Sequence, residues 1–130
     1  MKISQAAENA GLPIKTVRYY ADIGLVAPVD RSASGYRSYD QDAVQKLIFI
    51  RRARAFGFSI IECRELLGLY VDTTRSSADV KAIATRRLDE IEQKQKELQY
   101  LHDELARLVT SCRGDDRPDC PIISGLAQPK

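Results

Sequence analysis

The sequence predicts a mainly α protein with a small winged head and one long helix, and three observations carry this. Two short apolar-faced segments meet at Gly11, a turn-rich stretch with β-favouring residues follows, and residues 77–109 contain neither Gly nor Pro. At 130 residues the chain makes at most one compact domain, or a small domain with an extension. The organisation read from it is a head with connecting helices over 1–70, a linker and long helix over 71–110, and a loop and tail over 111–130.

The first helix runs from Ile3 to Ala10, with Ile3, Ala6, Ala7 and Ala10 on one face and Ser4 near its start. Gly11 breaks it. A second helix begins at Pro13 or Ile14, because proline is tolerated in a first turn, and ends at Gly24. It turns Ile14, Val17 and Tyr20 or Ala21 inward. Two such helices joined by a Gly-containing turn form a helix-turn-helix, although the segment alone equally fits any small αα-corner.

The stretch "LVAPVDRSASGYRSY" holds Pro28 and a Ser-Ala-Ser-Gly turn between β-favouring residues, the pattern of a hairpin or wing. Arg31, Tyr36 and Arg37 fall around its tip and returning strand. Arginine offers planar, multidentate donors to phosphate, and basic residues interleaved with aromatics point towards DNA. Asp40 or Asp42 caps a third helix reaching about Ala55. Gly57 interrupts, and Ser59 caps a fourth helix over Ile60–Tyr70, with Leu66, Leu67 and Leu69 inward. "VDTTRSS" is a linker.

From Ser77 to Val109 one helix of about 50 Å is expected. Ala84, Ile91, Leu98 and Leu105 recur every seventh residue, and Leu88, Gln95, His102 and Val109 follow four further on. This heptad seam calls for a second helix, and a coiled-coil homodimer supplies one. Gln95 and His102 would then set register, a metal-ligand role for His102 being the alternative.

Charge is uneven. Residues 1–60 hold nine Lys/Arg against five Asp/Glu, and residues 61–130 hold eleven against thirteen. A basic first half suits an anionic partner such as nucleic acid. The longest apolar run is too short to span a bilayer, and "MKISQAAENAG" lacks a signal core, so no membrane partner and a cytoplasmic location are expected. In that compartment thiols stay reduced, which counts against a structural disulfide between Cys112 and Cys120. A metal site and coincidence remain open from spacing alone. Cys63, within the fourth helix, reads as a small buried residue. One histidine at a seam position and no nucleophile–base pair argue against an enzyme.

"IKTVRYYADIGLVAP", "RSASGYRSYD" and "ARAFGFS" together resemble the MerR family of bacterial transcription regulators, over almost the whole chain. "SSADVK" and "CRGDDRPDCPII" are similar to its copper-efflux regulator (CueR-type) branch. The resemblance implies a winged helix-turn-helix DNA-binding domain, a helical connector, a long antiparallel coiled-coil dimerisation helix and a C-terminal metal-binding loop. It further implies a homodimer on a palindromic double-stranded promoter that distorts the DNA on metal binding, so that RNA polymerase engages both promoter elements. By the same resemblance Lys15, Arg18 and Tyr20 of the second helix, Arg31, Tyr36 and Arg37 of the wing, and Arg54 contact DNA. Arg113 and Pro118 depart from some relatives, which bears on discrimination among Cu(I), Ag(I) and Au(I).

The chemistry of the loop agrees with that branch. Soft thiolates select soft ions such as Cu(I), and two of them satisfy a monovalent d¹⁰ ion. Zinc prefers four ligands, and no Cys-x-x-Cys or histidine cluster is present. The family's divalent sensors carry a further cysteine where this chain has Ser77. Two thiolates and M⁺ sum to one negative charge, which is costly to bury uncompensated. The amino end of the partner's long helix, with Ser77 and Lys81, would offset it. Asp115, Asp116 and Asp119 read as turn residues. Other readings are a sensor of other thiol-reactive metals or of oxidants, or a cytosolic metal carrier or thiol oxidoreductase, the last lacking the redox Cys-x-x-Cys spacing.

Overall fold

The structure is a computed structural model that describes residues 1–31 and 37–129. It contains α1 (Ile3–Ala10), α2 (Ile14–Asp22), β1 (Asp30–Arg31), β2 (Arg37–Ser38), α3 (Gln41–Ala55), α4 (Ile60–Val71), α5 (Ser77–Ser111) and α6 (Pro121–Ala127). Two compact units divide the chain, Met1–Thr85 and Arg86–Lys130.

The N-terminal unit is the head. α1 buries Ala6, Ala7 and Ala10, whose small side chains let it lie close to both α2 and α3, and α3 in turn packs on α4. Gly11 adopts φ 72°, a left-handed conformation that ends α1 and opens the turn into α2. Asp40 caps α3 by accepting from the Ala43 amide at 2.8 Å. Ser59 and Glu62 close a reciprocal capping box at α4 (3.1 and 2.8 Å). Val17, Leu47, Ile50 and Cys63 are fully buried between these helices, with Ile83 of α5 joining the same core. Truncating Leu47 to alanine would cost about 2–5 kcal/mol.

β1 and β2 pair antiparallel in the register Asp30↔Ser38 and Arg31↔Arg37, the root of the expected wing. The N-terminus extends this small sheet. Lys2 bridges Ser38, and the Tyr39 amide donates to the Met1 carbonyl at 2.8 Å.

The head departs from the sequence reading at three places. Ile14, the first residue of α2, is exposed rather than inward. α2 ends at Asp22, and Gly24 (φ 73°) belongs to the turn after it. Tyr20, placed on DNA by the resemblance but inward by its periodicity, is only 6% exposed and lies in the core with Val17, as the periodicity reads.

In the C-terminal unit α5 runs to Ser111, two residues past the expected Val109. Its outward face carries ion pairs Arg87–Glu90 (2.9 Å), Lys94–Glu97 (3.3 Å) and Arg107–Glu104. Each is worth about 0.2–0.5 kcal/mol on a helix surface. The expected tail contains a short helix, α6, which starts at Pro121 in the first-turn position that proline favours. Among the described residues, no helix is long and apolar enough to cross a membrane.

Candidate functional site

Two sets of residues need placing, the loop thiols and the basic face of the head. Cys112 directly follows α5, and Cys120 immediately precedes α6. Their sulfurs stand 3.8 Å apart, both half-buried, and all three cysteines are free. A disulfide needs about 2.05 Å, so the pair is a dithiol.

α6 brings the two together. Gly125 packs on Leu108 so closely that a Cβ on it would lie 2.8 Å from a Leu108 methyl. A larger residue at that place would push α6, and Cys120 with it, away from the end of α5. Between the cysteines, Asp115 accepts from the Arg117 amide at 3.0 Å, a turn role that matches the sequence reading. Asp115, Asp116 and Asp119 are all exposed.

The start of α6 lowers the pKa of the Cys120 thiol. The Ile123 amide, and less strongly the Ile122 amide, aim their N–H groups at it and hold its thiol below the ordinary value, against some desolvation. Cys120 makes no side-chain capping hydrogen bond, so its sulfur keeps lone pairs for a metal ion. Among the described residues no third Cys, His, Asp or Glu joins the pair to form a metal-binding group. With bonds of about 2.3 Å, as thiolates make to zinc, sulfurs 3.8 Å apart subtend roughly 110° at an ion. A linear site needs them to open by less than ~1 Å. The residues therefore fit a low-coordinate soft ion, and ligand number rather than spacing sets the preference.

Ser77 and Lys81 lie in the first turns of α5, both exposed, while Cys112 follows its last residue. One chain thus carries them at opposite ends of a single helix.

On the head, Lys15 and Arg18 are exposed on α2. Arg31 and Arg37 are paired residues of the wing strands. Tyr36 lies outside the described residues. Arg54 is exposed but turned to internal work, donating to the Phe58 carbonyl at 2.7 Å across the α3–α4 turn. It also bonds the Tyr20 phenol, whose pKa burial raises and Arg54 partly lowers. The aromatic that does reach solvent is Tyr19, 51% exposed next to Arg18, with its ring 6.0 Å from that of Tyr20. The sequence reading missed it, although Val17 inward places residue 20, not 19, on the same face.

Seam residues Leu88, Leu98, Leu105 and Val109 are exposed in the single chain, Leu98 at 65%. Ile91 is half-buried, and His102 bonds the neighbouring Asp103 carboxylate at 3.1 Å.

A helix-turn-helix head with a wing root, a long helix and a dithiol at its far end define a DNA-binding regulator built around a thiol site. The chain belongs to the MerR family: the profile for "MerR HTH family regulatory protein" matches residues 1–69, and that for "MerR, DNA binding" matches residues 44–108. These are transcription regulators and not enzymes. The chain is 52% identical over 127 residues to the regulator HmrR of Rhizobium leguminosarum bv. viciae, covering 98% of each. It is 46% identical to the regulator CueR of Salmonella typhimurium, over 98% of this chain and 92% of that one. The crystal structure of the regulator PbrR691 from Ralstonia metallidurans CH34 in complex with lead(II) superposes with a TM-score of 0.82 at 34% identity, covering 98% and 99% of the two chains.

Proposed function

We propose that the chain is a copper(I)-responsive transcription activator, acting as a homodimer on promoter DNA. The observation that carries this reading is the Cys112–Cys120 pair, 3.8 Å apart, with no third Cys, His, Asp or Glu grouped with it among the described residues. Two thiolates suit a soft monovalent ion, and Cu(I), Ag(I) and Au(I) share that chemistry. The likeness to PbrR691, a regulator solved in complex with lead(II), supports a metal-sensing role.

The chain's own residues divide the work. Cys120, whose thiol pKa the α6 amides lower, and Cys112 receive the ion. Ser77 and Lys81 of the partner's α5 face the loop in an antiparallel dimer, where Lys81 offsets the net negative charge. Lys15, Arg18, Arg31 and Arg37 hold phosphates, with Tyr36 beside them on the wing, and Tyr19 takes the place first assigned to Tyr20. The dimer closes on Ala84, Leu88, Ile91, Gln95, Leu98, His102, Leu105 and Val109, whose exposed leucines need a partner. Ion binding then shifts the two heads so that the promoter is distorted and RNA polymerase can use it.

The second reading is a sensor of heavier or divalent thiophilic metals, favoured by the likeness to a lead(II)-bound regulator. Ser77 counts against it, because it adds neither a soft ligand nor a negative charge. Titrating the reduced protein on its promoter with Cu(I), Ag(I), Au(I), Zn(II), Hg(II) and Pb(II), with transcript as readout, separates the two. Activation by the monovalent ions alone is expected, and activation by Pb(II) or Zn(II) with silence towards Cu(I) overturns the proposal.

A further inference from the structure

α2, the second helix of the helix-turn-helix, is held on one side by packing on α1, whereas α4 packs on α3. A long-range bridge joins α4 to the turn that follows α2. Arg64, on the exposed side of α4, donates from Nη2 to the Ile23 carbonyl at 2.9 Å and from Nη1 to the Gly24 carbonyl at 3.2 Å.

These carbonyls lie in the turn that follows α2. The Tyr19, Tyr20 and Ala21 carbonyls accept from the amides of Ile23, of Leu25 and Val26, and of Gly24. Beyond Asp22, the Ile23 and Gly24 carbonyls in the turn after α2 accept from the guanidinium. A cation at a helix C-terminus is electrostatically favourable, and a planar fork fixes direction as well as distance. Lysine has one head and cannot reproduce it.

α4 is a firm base for such a bridge. Its start is locked by the Ser59–Glu62 capping box, and Cys63, Leu66 and Leu67 seat it in the core. Through residues 72–76 it continues into α5, whose Ile83 is buried in the same core. The start of α5 thus follows α4 directly along the chain and shares its core.

We propose that Arg64 is a positioning residue that couples the connector helix α4 to the DNA-reading helix α2, so that the operator's response to metal passes through this fork. The proposal rests on the promoter-binding, metal-responsive reading above. Arg64 touches neither the ion nor, in this role, the DNA. It sets the angle at which Lys15 and Arg18 are presented.

The test compares full-length Arg64→Met and Arg64→Lys with the unaltered protein. The first measurement needs neither metal nor DNA. Amide hydrogen exchange at Gly24, Leu25 and Val26 should quicken about fivefold in Arg64→Met, the scale of an exposed charge-assisted pair, while Leu47 and Ile50 stay unchanged. Unchanged exchange at the end of α2 would overturn the bridge. The second uses operator DNA with 2-aminopurine at its centre, read with and without Cu(I). Arg64→Met should lose most of the metal-induced fluorescence change and Arg64→Lys part of it, with Cu(I) affinity of the loop unaltered in both. A full response in Arg64→Met overturns the coupling but leaves the sensor reading intact. No response in the unaltered protein overturns the sensor reading itself, and the coupling with it.

Discussion

The Sγ atoms of Cys112 and Cys120 stand 3.8 Å apart across a loop whose two ends are the last residue of α5 and the first turn of α6. Replacing either by serine removes half of the soft donor set. Cu(I) affinity should fall by more than about a hundredfold, since even the outer partners of metal ligands are worth 10- to 100-fold. Operator binding should persist, because the basic face lies on the head. Competition against a Cu(I) chelator, paired with gel shift, checks both halves. Cys63→Ser should retain induction.

Gly125 is the contact that holds α6 against Leu108. Gly125→Val places carbon where the Leu108 methyls stand and should displace Cys120, lowering Cu(I) affinity about tenfold. Pairing it with Leu108→Ala makes room and should restore much of the loss. Equal affinity in the single variant and the unaltered protein would mean α6 does not position the thiol.

Tyr19 and Tyr20 are neighbours with opposite fates, one exposed and one buried. Tyr19→Ala should weaken operator binding with little loss of stability. Tyr20→Ala should cost about 3–5 kcal/mol of folding stability, as removal of a buried aromatic does. Arg18→Ala should weaken DNA binding and reduce the logarithmic salt slope by about 0.9, the share of one phosphate contact. Salt titrations of affinity and urea melts distinguish the three variants.

Leu98 lies mid-seam and is 65% exposed in the single chain. Leu98→Asp buries an unpaired carboxylate in any coiled-coil dimer, so monomers and loss of operator binding are expected. Sedimentation velocity at micromolar concentration reads the first and gel shift the second. A DNA-competent monomer would remove the dimer from the mechanism.

Cys63 and Tyr20 both keep their protons beyond the ordinary pH in the folded head, chiefly because burial disfavours the charged forms. Unfolded, they ionise near their ordinary values of about 8.5 and 10. The stability they contribute is complete below about pH 8.5 and is lost as pH rises through the folded values. Urea midpoints should therefore fall between pH 8 and 10, and less steeply in Cys63→Ala, which itself costs about 1 kcal/mol at pH 7. Parallel curves for the two proteins would assign the alkaline loss elsewhere.

Most helix boundaries were legible because capping acts within three residues: Asp40 on Ala43, Ser59 on Glu62, Gly11 after Ala10. The long helix was legible because nothing in residues 77–109 can break it. α6 was overlooked, although Pro121 after Cys120 is a first-turn signal, because seven residues carry little periodicity.

The sequence by itself determined that two thiols flank one loop, that a heptad seam runs along α5 and that positive charge gathers on the head, since these are matters of residue type and spacing. Only the tertiary structure decided that Tyr20 rather than Ala21 is the buried one, that Tyr19 reaches solvent, that Arg54 serves the α3–α4 turn, and that Leu108 accepts Gly125. It alone joins Arg64 to carbonyls 40 and 41 residues away. A local pattern records what a residue does within a turn or two of its own helix. Which side chains meet across the core depends on how separate helices pack, and that is set by the whole set of contacts at once.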